Sequence, residues 1–234
     1  MTTVLVTGAN RGLGLEHARQ FAERGWHVIA CARDTDAEEL SAIADGNERV
    51  KIRELDVTHH MAVESLATEL RGTAIDVLVN NAGTAGPGGM PHIIVHQSLE
   101  NMDYGIWRNI LEVNLLGAFK VATAFHDHIV ASDRKLLVNM SSDVGSVAQN
   151  QTGKIHAYRA SKAGLNIVTK GMAVEWQDIV VIAMAPGWCR TELGGADAQV
   201  DPADSVREQQ ALFDRLGPAD TGHFLNRFGE TVPW

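Results

Sequence analysis

The chain has 234 residues, 45% hydrophobic and 21% charged, with a formal net charge of -9. Such a chain suits one large α/β unit with a buried core, and its acidity excludes the basic footprint of a broad nucleic-acid binder. No apolar run nears the ~18 residues of a membrane span, and the opening MTTVLVTG lacks the features of a secretory leader, so a soluble cytoplasmic protein is expected.

Short apolar runs alternate with longer amphipathic stretches. Residues 3–7 (TVLVT) read as a buried strand and 12–24 as a helix that Gly25 ends. A second strand follows at 26–31, then a short helix from Ala37 that Asp36 is placed to cap. A third strand is expected at 50–55, a third helix at 59–70 and a fourth strand at 75–79. One long helix spans 104–129, followed by a fifth strand at 136–140, a helix at 157–176 and a sixth strand at 179–184. A last helix at 203–216 and an edge strand at 224–228 complete the pattern. Alternating strands and helices with continuously apolar strands imply a parallel sheet of about seven strands, covered by helices on both faces. The whole of 1–234 is thus expected to form a single doubly wound Rossmann-type domain, its site at the carboxyl ends of the strands. Cys31 and Cys189 are far apart, without ligand spacing, so they predict buried hydrophobes rather than a disulfide or zinc site. The pairs His59/His60 and His126/His128 lack further ligands, so no metal site is expected.

The turn between the first strand and first helix reads Thr7-Gly8-Ala9-Asn10-Arg11-Gly12-Leu13-Gly14. Its glycines permit a tight turn close to a pyrophosphate, and the helix start adds free N–H groups and partial positive charge. The second strand is expected to end near Cys31, with Ala32 at the position where an acid would bind a ribose hydroxyl and Arg33 beside it. Asp34 has the spacing for NAD, but beyond the strand it reads as a solvated or capping residue. Arg33 on one side and Arg11 on the other then suit a 2′-phosphate. A charge-assisted hydrogen bond of roughly 1.5–3 kcal/mol corresponds to about a tenfold to hundredfold preference for NADP(H) over NAD(H).

With TGANRGLG go Asp56-Val57, NNAG at 80–83, Asn114 in EVNLLG, Ser142 in SSDVG, YRASK at 158–162 and PGWCRT at 186–191. In that order and over nearly the whole chain, these motifs resemble the short-chain dehydrogenase/reductase family. PGWCRTELGG and the terminal PW are similar to its C-factor-like carbonyl reductase branch. The resemblance implies that Gly8, Asn10, Arg11, Gly12, Leu13 and Gly14 cradle the cofactor and that Asp56 and Val57 meet the adenine. Asn81, Ala82 and Gly83 would line the groove, although NNAG segments also tie strands together. Pro186, Gly187, Cys189 and Thr191 would hold the nicotinamide end. Many relatives also dimerise through the helices corresponding to 104–129 and 157–176, so a homodimer or homotetramer is expected. The segment 142–158 is a few residues longer than the family's spacing, which places a bulging loop beside the substrate.

Tyr158 and Lys162 are four apart on a predicted helix and share a face. A lysine charge at ~4 Å with an effective dielectric of ~20 contributes about 4 kcal/mol, or roughly three pKa units. It would bring a tyrosine from ~10 toward neutral pH, where acid–base catalysis is efficient. The resemblance makes Tyr158 the acid/base, Lys162 its tuner and ribose ligand, and Ser142 the hydrogen-bond donor to the substrate oxygen. Ser141 is the rival serine. Asn114 would hold a water relaying protons to Lys162. Segments 83–107 and 191–204 are expected to shape a pocket for a small, apolar carbonyl or alcohol, with Trp188 a candidate for its wall. An NAD-dependent alcohol dehydrogenase and a non-catalytic NADP(H) sensor are the alternative readings.

Overall fold

A computed structural model describes residues 2–89 and 92–234. Met90 and Pro91, within the stretch expected to shape the pocket, lie outside the described residues. The elements are β1 (Thr3–Thr7), α1 (Gly12–Glu23), β2 (His27–Ala32), α2 (Glu38–Ala44), β3 (Val50–Glu54), α3 (His60–Glu69) and β4 (Val77–Asn80). They continue with α4 (Tyr104–Leu111), α5 (Ala118–Ala124), α6 (His126–Val130), β5 (Leu136–Met140), α7 (His156–Glu175), β6 (Val180–Ala185), α8 (Pro202–Phe213) and β7 (Phe224–Asn226). The sheet is parallel throughout, in the order β3-β2-β1-β4-β5-β6-β7.

Strand side chains alternate between two cores, as a sheet covered on both faces requires. Val4, Val6, Val138 and Ile182 pack with Leu15 and Phe21 of α1 and Phe213 of α8. Leu5, Leu78, Leu137 and Val181 pack on the opposite face with Val63 of α3, Val121 of α5 and Met172 of α7. Complete burial of one such phenylalanine or leucine contributes about 1.5–3 kcal/mol. Chain order reverses between β1 and β4, opening the crevice in which doubly wound sheets bind ligands.

Three sequence expectations are corrected. The helix expected over 104–129 is interrupted by a π turn at Glu112–Gly117, which contains Asn114, and breaks again at Phe125. Asp36 caps nothing: α2 starts at Glu38 with Ala37 at its N-cap, while Asp34 accepts the Asp36 N–H at 3.1 Å. The second strand runs one residue further than expected, since Ala32 pairs with Glu54 and is buried. Arg33 therefore leaves the sheet at the strand's end.

Candidate active site

One cavity of about 830 Å³ opens along the carboxyl ends of β1, β2, β4, β5 and β6. Gly8, Asn10, Arg11, Gly12 and Leu13 line one stretch of it. Gly14 does not; it is required by packing, because a Cβ there would sit 2.2 Å from the Gly8 carbonyl oxygen. Gly8 itself has φ +66°, and a Cβ on it would meet the Ala82 Cα at 2.9 Å. Only glycine at these two positions lets the turn close against the strand ends.

The neighbouring crossing strand is tied to this loop by hydrogen bonds. The Thr7 hydroxyl accepts from the Asn81 and Ala82 N–H groups, each at 3.0 Å. The Asn81 side chain donates to the carbonyls of Thr7 at 2.9 Å and Gly8 at 3.2 Å. Asn81, Ala82 and Gly83 all line the cavity, but the Asn81 amide N–H groups serve the loop. The segment thus ties the strand ends together while facing the cavity.

Arg33, Asp56 and Val57 line another end. Burial opposes the charge of Asp56, but hydrogen bonds from the Thr58 N–H and hydroxyl, with the nearby Arg33 cation, outweigh it and hold the carboxyl below its usual pKa. Arg33 is exposed and makes no salt bridge among the described residues, so its guanidinium is free for an anionic ligand. Arg11 departs from expectation: it forms an ion pair with Glu192, 181 residues away, across the mouth of the cavity. Its charge already has a partner, though both side chains are largely exposed and such pairs contribute little.

At the remaining end stand Ser142, Tyr158 and Lys162. Ser142 caps a 3₁₀ turn at Asp143–Gly145, its hydroxyl accepting from the Val144 N–H at 3.4 Å, and it lies beside Tyr158, whose phenolate form it favours. The rival Ser141 also lines the cavity, but it is buried and its hydroxyl donates to Asn166 at 2.6 Å, whereas Ser142 lies beside the phenol. Lys162 is buried; its Nζ donates to the Met140 carbonyl at 2.7 Å and lies 5.7 Å from the centre of the Tyr158 ring. An ammonium has three donors, and the other two find no protein acceptor among the described residues.

The electrostatics of this pair differ from the sequence estimate. Burial pushes the Tyr158 hydroxyl up to about 12, with the Ser142 hydroxyl beside it only partly offsetting this. Burial also brings the Lys162 ammonium down to about 8. The cost of placing each charge in a poorly hydrated site is larger here than the attraction between them. Tyr158 is thereby held protonated at neutral pH, as a proton donor must be.

Asn114, expected to hold a relay water, does not itself line the cavity. It is buried, its Oδ1 accepts from the Thr84 N–H at 2.8 Å, and its amide donates to the Thr84 carbonyl and the Ser161 hydroxyl. With its side chain committed, any water it holds must sit on the main chain, which the surrounding π turn disrupts locally.

Pro186, Gly187, Cys189 and Thr191 line the cavity from the loop after β6, and Trp188 joins them. Cys31 and Cys189 are both buried and free. Ile93, Val144 and Ile155 also face the cavity. Only their membership of broad segments was visible beforehand. Gln97 had no sequence signal at all: buried, it donates to the Ala85 carbonyl at 2.6 Å and accepts from the Tyr158 N–H at 2.9 Å, fixing the start of α7. Of the expected histidines, His128 is buried and bonded to the Thr73 and Ala67 carbonyls. No helix among the described residues is long and apolar enough to cross a membrane.

A glycine cradle, a free arginine at one end and a buried ammonium with donors to spare at the other fit an elongated, phosphate-bearing dinucleotide. Comparisons with known proteins agree with that geometry. A family model described as short chain dehydrogenase matches residues 2–200. The C-signal protein of Myxococcus xanthus is 32% identical over 174 residues, covering 74% of this chain and 100% of that protein. Among solved structures, the carbonyl reductase Sniffer of D. melanogaster superposes with a TM-score of 0.91 at 27% identity, covering 100% of both chains. The NADPH-bound carbonyl reductase from chicken fatty liver gives 0.89 at 26% identity, covering 100% of this chain and 99% of that one.

Proposed function

The chain belongs to the short-chain dehydrogenase family and is an oxidoreductase of C=O and CH–OH groups; on that premise we propose that it reduces a small ketone or aldehyde with NADPH, using Tyr158 as proton donor. The observation that carries this reading is the single cavity that has Arg33 at one end and the Ser142, Tyr158 and Lys162 side chains at the other. Gly8, Gly12 and Leu13 would hold the pyrophosphate, Arg33 the 2′-phosphate, and Lys162 the ribose next to the nicotinamide. A solved structural neighbour carries NADPH in its own description, which supports the same choice here. The bound nicotinamide supplies the hydride.

The chain's own residues manage the oxygen. Ser142 and Tyr158 both line the cavity, where each hydroxyl would meet a bound carbonyl oxygen. Tyr158 gives up its proton as the oxygen becomes an alkoxide. The phenolate then formed is stabilised by the Lys162 cation behind it, in surroundings where a charge is felt strongly. Asn114 acts at a distance, bracing Thr84 and Ser161 on either side of this group. A second copy of the chain would cover the apolar side chains of Leu116, Phe119, Ile167 and Val174, which stand exposed on the α4–α5 and α7 helices.

NADPH consumption across a panel of ketones and aldehydes tests the reading, with NADH in parallel. Turnover that depends on NADPH is expected. Tight NADPH binding without turnover of any carbonyl or alcohol would favour a sensor instead.

A further inference from the structure

We propose that Ile155 selects the substrate: forced against the pocket by a strained turn, it builds a wall that accepts an apolar ketone or aldehyde and disfavours a hydroxylated one. The inference rests on the carbonyl-reductase reading above.

Gly153, Lys154 and Ile155 have φ of +58°, +55° and +42° in succession. Lys135 is the only other non-glycine residue with positive φ among the described residues. The left-handed region is unfavourable for any side chain and most so for a β-branched one. Such a conformation persists only where the surroundings over-determine it. Here they do. The Arg159 guanidinium donates to the Gly153 carbonyl at 2.9 Å, the Lys154 carbonyl at 3.1 Å, the Thr152 hydroxyl at 2.8 Å and the Val144 carbonyl at 3.2 Å. On the other side, the His156 and Tyr158 N–H groups are both held by Gln97.

The clamped turn presents one side chain to the site. Ile155 lines the cavity, is 8% exposed, and packs with Ala85 and Ile93. Val144, Leu193 and Tyr158 pack against the same group. The apolar wall therefore begins at the proposed proton donor, where the substituents of a bound carbonyl must lie. Asn109 and Asp143 also line the cavity, but neither belongs to this cluster. The extra residues between Ser142 and Tyr158 thus have a definite product: a rigid aliphatic surface beside the reacting group. A hydroxylated substituent placed there would lose its water without gaining a partner.

Acetophenone and dihydroxyacetone serve as probes, with kcat/KM measured by NADPH consumption for the wild type, Ile155→Asn and Ile155→Gly. Asparagine tolerates the left-handed region but presents an amide, and glycine relieves the strain while removing the wall. The wild type should prefer acetophenone, and both variants should lower the acetophenone-to-dihydroxyacetone ratio by about tenfold to a hundredfold. A purely structural residue would lower both rates together; an unchanged ratio in both variants, or a wild-type preference for dihydroxyacetone, overturns the assignment of Ile155 while leaving the reductase reading intact. A wild type that binds NADPH but consumes it with no carbonyl overturns both.

Discussion

Carbonyl reduction by this protein should fall as pH rises through about 8, the pKa to which burial lowers the Lys162 ammonium. The neighbouring phenol, near 12, stays protonated over the whole range and sets no limit of its own. Lys162 is about nine-tenths charged at pH 7 and about one-tenth charged at pH 9, so kcat/KM for reduction should drop about tenfold between them. A lysine at its ordinary value of ~10.4 would delay the same fall by more than two pH units. In the opposite direction the sign reverses: alcohol oxidation needs the phenolate beside the Lys162 cation, so its rate should climb with pH up to about 8 and then level off. The assay is initial-rate kinetics of NADPH-dependent reduction from pH 6 to 10 at about constant ionic strength, with NADPH affinity measured at each pH. Lys162→Met should be slow throughout and lose the limb near 8. A flat wild-type profile to pH 10, or the same limb persisting in Lys162→Met, would refute the account of Lys162.

Two further outcomes follow from other groups. Arg33→Asp should weaken NADPH binding about tenfold to a hundredfold while affecting NADH little, and more than Arg11→Ala does, because Arg11 already pairs with Glu192; isothermal titration with both cofactors checks this, and an equal loss for the two would contradict it. His17 is buried between Phe21 and Phe213, its ring bonded among the described residues only to Gln209, and burial lowers its pKa to about 4. Its unfolded form binds a proton near 6.5 and its folded form does not, so stability should fall by about 3 kcal/mol as pH drops from 6.5 to 4. Urea unfolding of wild type and His17→Gln across that window reads the difference, which should be close to zero if His17 titrates normally in the folded protein.

Local spacing made much of this site readable. The glycine loop and the Tyr158–Lys162 pair are fixed by intervals of a few residues, so a helix or a tight turn alone brings each set together. The sheet was readable because buried parallel strands are continuously apolar. What escaped depended on distant partners. Arg11 turns to Glu192, and Asn114 is spent on Thr84 and Ser161. The end of β2 depends on Ala32 finding Glu54 across the sheet. The Tyr158 and Lys162 pKa values depend on burial, which no spacing reports. The extra length before Tyr158 was countable, but the left-handed turn that aims Ile155 needs Arg159 and Gln97 in three dimensions.

The most direct measurement is NADPH binding and carbonyl turnover by Tyr158→Phe, which removes one hydroxyl and keeps the ring. NADPH affinity should stay within about twofold of wild type while kcat falls by about a hundredfold or more, the scale of a lost general acid. A variant that binds NADPH normally and still reduces carbonyls at a comparable rate would show that the proton comes from elsewhere.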